Sequence, residues 1–175
     1  FEIVDSPIPE LVGAHAVIWT TTPWTIPANQ AIAYGPEVEY VLLEYREPKL
    51  VQTQDSDSPH TSHDERQPTI IRKVLVAETR LAAFKADILT EFSRRLGVAL
   101  TDLSSRSLWS GKGSDLVGTV ARHPMHALGG FFAAPRPFLP GDFVTTDSGT
   151  GLVHMAPDHG EDDFLLCKAH GIDPV

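Results

Sequence analysis

Apolar positions along this chain come in short runs rich in β-branched residues, and one stretch keeps helical spacing over several turns. Val17-Ile18-Trp19 sits within a segment, 14–22, that predicts a buried strand. Pro23 ends it, because proline has no N–H for a sheet ladder. With Pro27 close behind, residues 22–29 are expected as a loop at a strand end, a position where chemistry often sits. Residues 38–45 and 69–77 predict two further strands. Between them, 46–68 has almost no apolar content and reads as a solvated loop, an insertion within the domain. Leu81, Phe84, Ile88 and Phe92 share one face of a helix over 78–96, with Thr79 to cap its start and Gly97 its end. Residues 115–122 predict a strand, and 129–140, crowded with Gly, Pro and Phe, an irregular connection. Two strands, 142–146 and 151–155, are expected either side of a turn at Asp147-Ser148-Gly149. A last helix, 159–170, starts with the capping-box-like pair Asp158 and Glu161 and stops at Gly171. Many short strands with two helices give an α+β class, a single domain over 1–175 built on a barrel-like mixed sheet with flanking helices.

Composition narrows the functional classes. One cysteine, Cys167, allows neither an internal disulfide nor a cysteine-rich zinc site, so a reducing, cytoplasmic setting is expected. No apolar run is long enough to span a bilayer, and the first ten residues lack the pattern of a signal peptide. The Phe at the start and the Asp173-Pro174-Val175 end suggest a piece of something larger. The formal charge of −9 argues against gripping a long stretch of nucleic acid, which needs clustered Lys and Arg. It leaves room for a pocket that takes one terminal nucleotide.

Candidate chemistry concentrates at two places. Thr20, Thr21 and Thr22 put hydroxyls on both faces of a strand end; β propensity alone explains Thr in a strand, but Trp19, Pro23 and Trp24 frame a short hydroxyl-bearing wall. Asp162 and Asp163 fall in the first turn of the last helix, where acids complement the helix dipole. If one faces a pocket, it can also hold an ammonium group by a charge-assisted hydrogen bond. His154 ends a strand just before Pro157, and His159 is placed for a local hydrogen bond. Eight histidines raise the question of a metal, but no His-Glu-x-x-His pair occurs, and none is expected. Asp147-Ser148-Gly149-Thr150 matches the short aspartic-protease pattern, whose chemistry needs two carboxylates; a single copy would require a homodimer. Gly111-Lys112-Gly113-Ser114 lacks the first glycine of a P-loop and reads as a turn, and no Gly-x-Ser-x-Gly elbow is present.

Two long segments carry a resemblance. Trp19-Thr20-Thr21-Thr22-Pro23-Trp24-Thr25-Ile26-Pro27-Ala28-Asn29 resembles isoleucyl-tRNA synthetases, and so does the run from Gly149 through His154 and Asp158 to Phe164. A weaker pattern, Gly118 with His123-Pro124, also fits. Both long segments belong to the editing (CP1) domain inserted in that enzyme. Valyl and leucyl relatives carry Thr-Thr-Arg-Pro at the first segment, so Thr22 in place of the arginine favours the isoleucyl branch. The resemblance implies hydrolysis of valine wrongly esterified to the isoleucine tRNA, and of valyl-adenylate. Such families are the standing illustration of a second sieve that destroys what the first cannot reject. It implies that Thr20, Thr21 and Thr22 line the pocket, that Asn29 positions substrate or water, that His154 borders the side-chain pocket, and that Asp163 binds the α-ammonium group. Gly149, Thr150, Gly151 and Val153 would approach the terminal adenosine through backbone atoms, and Trp24 is a weaker pocket candidate. No cofactor is implied for editing. ATP and Mg²⁺ belong to the parent synthetase, whose His-Ile-Gly-His-like and Lys-Met-Ser-Lys-Ser-like segments are absent here, so the chain alone should not activate amino acids. The implied partners are the 3′ end of the isoleucine tRNA and the rest of the synthetase, with no membrane and a monomeric state. Position 158 is Asp where many relatives have Gly.

Overall fold

A computed structural model describes residues 1–47, 70–97 and 99–175. Nine strands form one mixed sheet: β1 (Glu2–Asp5), β2 (His15–Ala16), β3 (Ala31–Tyr34), β4 (Glu39–Arg46), β5 (Ile71–Ala77), β6 (Ser105–Lys112), β7 (Val120–Arg122), β8 (Pro135–Pro140) and β9 (Leu152–Met155). Two α-helices, α1 (Leu81–Leu96) and α2 (Glu161–Ala169), flank it. The strand order is β6-β4-β5-β2-β1-β7-β8-β3-β9. The last strand then meets the chain just beyond β2. Trp19 pairs in parallel with Val153, its N–H donating to Leu152 O at 2.8 Å and its carbonyl accepting from His154 N at 3.2 Å. That seam closes β2-β1-β7-β8-β3-β9 into a barrel, and β5, β4 and β6 continue the sheet from β2, with Tyr40, Leu42 and Leu75 packed into the same core.

Alternation along the strands separates the core into layers. Ile32 and Tyr34 of β3, with Tyr40 and Leu42 of β4, join Ile3, Leu75, Phe138 and Leu152 in the central cluster. Ala31 and Ala33, on the opposite face of β3, pack with Leu139, Val144, Met155 and Cys167 of α2; alanine there lets the helix come close. Leu43, Tyr45 and Val74 face Phe92, Leu81, Phe84 and Ile88 of α1, the face the periodicity predicts. Gly97 ends α1 with φ +67°, the left-handed geometry that favours glycine.

Several expectations are corrected. Residues 14–22 give only the two-residue β2 and the Trp19 bridge. Residues 23–28 are a six-residue 3-10 helix, not a loop, with Pro27 inside it. Residues 142–146 form no strand; Val144 N donates to Gly141 O in a turn instead. Much of 129–140 is regular: β8 occupies its second half, between β7 and β3. Of 115–122 only β7 is a strand, and 113–116 is a 3-10 turn. Thr79 caps nothing, since a 3-10 turn at 78–80 precedes α1. Gly160, not Asp158, is the N-cap of α2, with no side-chain capping bond. The expected insertion at 46–68 lies, from 48 onward, outside the described residues. No described helix is long and apolar enough to cross a membrane.

Candidate functional site

At the seam of the barrel lies a cleft of about 180 Å³, lined by Trp19, Thr20, Thr21, Thr22, Thr25, Val153, His154, Ala156, His159 and Asp163. Three pieces of chain build it: the strand end and 3-10 helix after β2, the end of β9, and the start of α2. The structure therefore brings Thr20, Thr21, Thr22, Val153, His154 and Asp163 together.

The threonine wall is tied to itself. Thr22 N–H donates to Thr20 Oγ1 at 3.0 Å, and the Thr22 hydroxyl lies 3.4 Å from Thr20 Oγ1 and 3.3 Å from Thr25 Oγ1. Thr25 Oγ1 donates to Thr22 O at 2.7 Å. From behind, the buried His123 holds the same 3-10 helix. Its Nδ1 accepts from Met125 N–H at 3.0 Å, so the ring proton sits on Nε2 and donates to Ile26 O at 2.9 Å. This gives the His123-Pro124 pattern a structural reason.

His154 is 5% exposed. Its Nε2 lies 3.0 Å from Thr25 Oγ1, and its Nδ1 lies 2.8 Å from Asn29 Nδ2. Burial, reinforced by His123 and His159, pushes the ring down to about 4. The imidazole is neutral at physiological pH.

Asp163 opposes the threonines. Its Oδ1 accepts from Ala156 N–H at 3.3 Å, and burial raises its carboxyl above the ordinary range, with Asp162 adding to the rise. A half-buried carboxylate holding one long hydrogen bond is poorly compensated, and an incoming ammonium group relieves that deficit. Gly160 makes room for it. A Cβ there would lie 2.4 Å from Asp163 Oδ2.

Other predicted residues sit elsewhere. Asn29 is fully buried behind His154, 2.8 Å from its Nδ1, and does not line the cleft. Trp24 is 76% exposed and points out of the cleft, because its 3-10 turn turns Thr22 and Thr25 inward. Gly149, Thr150 and Gly151 are structural neighbours, not cleft lining. Gly149, at φ +71°, packs so closely on Trp19 that a Cβ would lie 2.4 Å from its ring. Gly151 fits against Ala77 in the same way, and its carbonyl accepts from Tyr40 Oη at 2.6 Å. Thr150 Oγ1 donates to Val17 O. Asp147 is exposed on the turn before them; its carbonyl and that of Gly149 accept from Arg80. Sequence reasoning missed Thr25, Ala156 and His159 as lining residues. The Thr22-x-x-Thr25 spacing, one 3-10 turn, was the available signal for the first. Among the described residues no three His, Cys, Asp or Glu side chains gather as a metal site.

The chain is 51% identical over all 175 residues to isoleucine--tRNA ligase of Zymomonas mobilis, covering 15% of that protein. Along its whole length the chain is similar to one segment of isoleucine--tRNA ligases. The ligase of Gluconobacter oxydans is 43% identical over 99% of the chain, again with 15% of the protein covered. That of Mycobacterium tuberculosis is 38% identical over 94%, with 12% covered. The chain thus spans about 15% of the length of these relatives. No family model matches. The fold also resembles a solved structure described as the crystal structure of GlLeuRS-CP1. Its TM-score is 0.52 at 18% identity, over 91% of this chain and 50% of that one. That likeness concerns the fold, an α+β CP1 domain on a mixed sheet.

Proposed function

We propose that this CP1-type segment is the editing site of an isoleucine--tRNA ligase and hydrolyses valyl-tRNA(Ile), with valyl-adenylate as a second substrate. The observation that carries the reading is the convergence of Thr20, Thr21, Thr22, His154 and Asp163 on one small cleft. Asp163 receives the α-ammonium group. The threonine hydroxyls hold the ester and the attacking water, and His154 with Val153 walls off a side-chain space too tight for isoleucine.

No protein nucleophile is required. An aminoacyl ester is already activated, so holding water against the carbonyl among fixed hydrogen-bond donors supplies the catalysis. No cofactor enters this step; ATP and Mg²⁺ act at the ligase's synthetic site. The partners are the 3′ end of the tRNA and the remainder of the ligase, in a monomeric, cytoplasmic enzyme. Contact with the RNA is local, consistent with the net charge of −9.

The test uses the ligase that carries this segment, incubated with valyl- and isoleucyl-tRNA(Ile). Valine should be lost much faster than isoleucine, and Asp163→Ala should abolish the difference. Normal valine deacylation by Asp163→Ala would overturn the assignment.

A further inference from the structure

The hydrogen bonds around His154 fix where its ring proton sits. Asn29 Nδ2 lies 2.8 Å from Ala31 O and 3.4 Å from Met155 O. A carbonyl can only accept, so the nitrogen, not the oxygen, of the Asn29 amide must face this side. One of its two protons goes to Ala31 O. The other points at His154 Nδ1, 2.8 Å away, which must then be an acceptor. The ring proton therefore sits on Nε2 and is donated to Thr25 Oγ1 at 3.0 Å. Thr25 can accept it, because its own proton goes to Thr22 O at 2.7 Å. Each bond has one donor and one acceptor, and reversing the amide would set its oxygen against two carbonyls. The orientation persists even though Asn29 Oδ1 is buried with no partner, a cost the other bonds must outweigh.

We propose that Asn29 is a positioning residue that, with Thr25 as its counterpart across the ring, locks His154 in the neutral Nε2–H form. Both ring nitrogens are then engaged, so His154 is a fixed, uncharged wall of the cleft and not the base that activates water. The charged and titratable groups facing it are His123 behind the 3-10 helix, His159 before α2, and Asp163 on α2. None of them bonds the ring, whose two nitrogens are taken by Thr25 and Asn29. Resting on the editing assignment, the consequence is that Asp163, and not His154, is the charged cleft residue that an entering ammonium pairs with. A protonated His154 beside it would repel that ammonium.

The experiment has two arms. In the first, the chain labelled with ¹⁵N on histidine is titrated by NMR, with His154 assigned from the spectrum of His154→Gln. The ring should show the Nε2–H tautomer and stay neutral from pH 8 to pH 5. An Nδ1–H tautomer, or titration in the ordinary histidine range, would overturn the lock. Asn29→Asp replaces the donor by a carboxylate acceptor, and its His154 should carry both protons at neutral pH; an unchanged neutral ring would also overturn it. The second arm measures valyl-tRNA deacylation by the ligase. Asn29→Asp should raise KM at least tenfold at pH 7.5, and part of that loss should return as pH rises and the ring discharges. A pH-independent loss would reduce Asn29 to a packing role. A locked ring in a wild-type ligase that does not deacylate valine supports the lock and removes the editing assignment instead.

Discussion

Alanine at position 160 tests how the cleft works, because it moves one group and little else. Gly160 has φ −162° and ψ 148°, extended backbone that alanine adopts without strain. Its added Cβ would lie 2.4 Å from Asp163 Oδ2 and 3.2 Å from Cγ. Ordinary van der Waals contact begins near 3.4 Å, so the carboxylate must retreat by about 1 Å. The folding cost is small. Alanine is a poorer N-cap than glycine by about 0.5–1 kcal/mol, and the bond from Ala156 N–H, at 3.3 Å, is long already. About 2–4 °C in Tm is expected for a chain of this size. The effect on chemistry is much larger, since a displacement of about 1 Å costs on the order of 100-fold in rate when positioning carries the reaction. Valyl-tRNA deacylation by Gly160→Ala ligase should therefore fall roughly 10- to 100-fold, in single-turnover assays beside Asp163→Ala, while thermal unfolding of the chain barely shifts. Wild-type deacylation by Gly160→Ala would refute the idea that the exact seat of this carboxylate matters.

Further consequences can be measured. The neutral, buried His154 binds its proton more weakly folded than unfolded, so its contribution to stability is full above the usual 6.5 and is lost as pH falls toward about 4. At about 1.4 kcal/mol per pH unit that gap would be about 3 kcal/mol. Halved for the solvent-open side of the cleft, it is about 1.5 kcal/mol. Urea midpoints of the chain should drop across that window, and His154→Gln should flatten the drop. Thr25→Val keeps the shape but removes the acceptor for His154 and the donor to Thr22 O; a loss of about 1–3 kcal/mol is expected in urea unfolding. Gly149→Ala meets both a positive φ and the Trp19 ring. It should cost about 1–2 kcal/mol from backbone strain alone and shift the tryptophan fluorescence, and an unperturbed spectrum would contradict the packing described.

The parts of the fold that are readable in sequence are those whose burial is one-sided and local. α1 announces itself through Leu81, Phe84, Ile88 and Phe92, and β9 with α2 through an apolar strand beside an acid-rich helix start. β8 is hidden by Pro135, Pro137 and Pro140. Phe138 N–H donates to Thr119 O beside β7, so the alternating amides at 135 and 137 face away from that partner, and proline is tolerated. β6 is an edge strand with little apolar content, and so lacks a pattern. The expected strand at 142–146 failed for the opposite reason: its β-branched residues are present, but no neighbouring strand takes their hydrogen bonds. At the site, the threonine run and the aspartates are each ordinary in isolation, a strand end and a helix start. Their convergence depends on the closure of the barrel, which no local pattern encodes. The resemblance sets Asn29 against substrate or water, and only the packing shows His154 standing in front of it.

The bridge from Trp19 to Val153 has a consequence in time as well as in space. Its two sides are separated by most of this segment, so the cleft needs nearly all of 1–175 before it can form. Contacts of such separation form slowly, since a long loop must close before they contribute. A chain halted before β9 holds all the threonines but has neither His154 nor Asp163 to face them. The cleft is therefore whole only once the barrel has shut, with Trp19 against Val153 and Asp163 opposite the threonines.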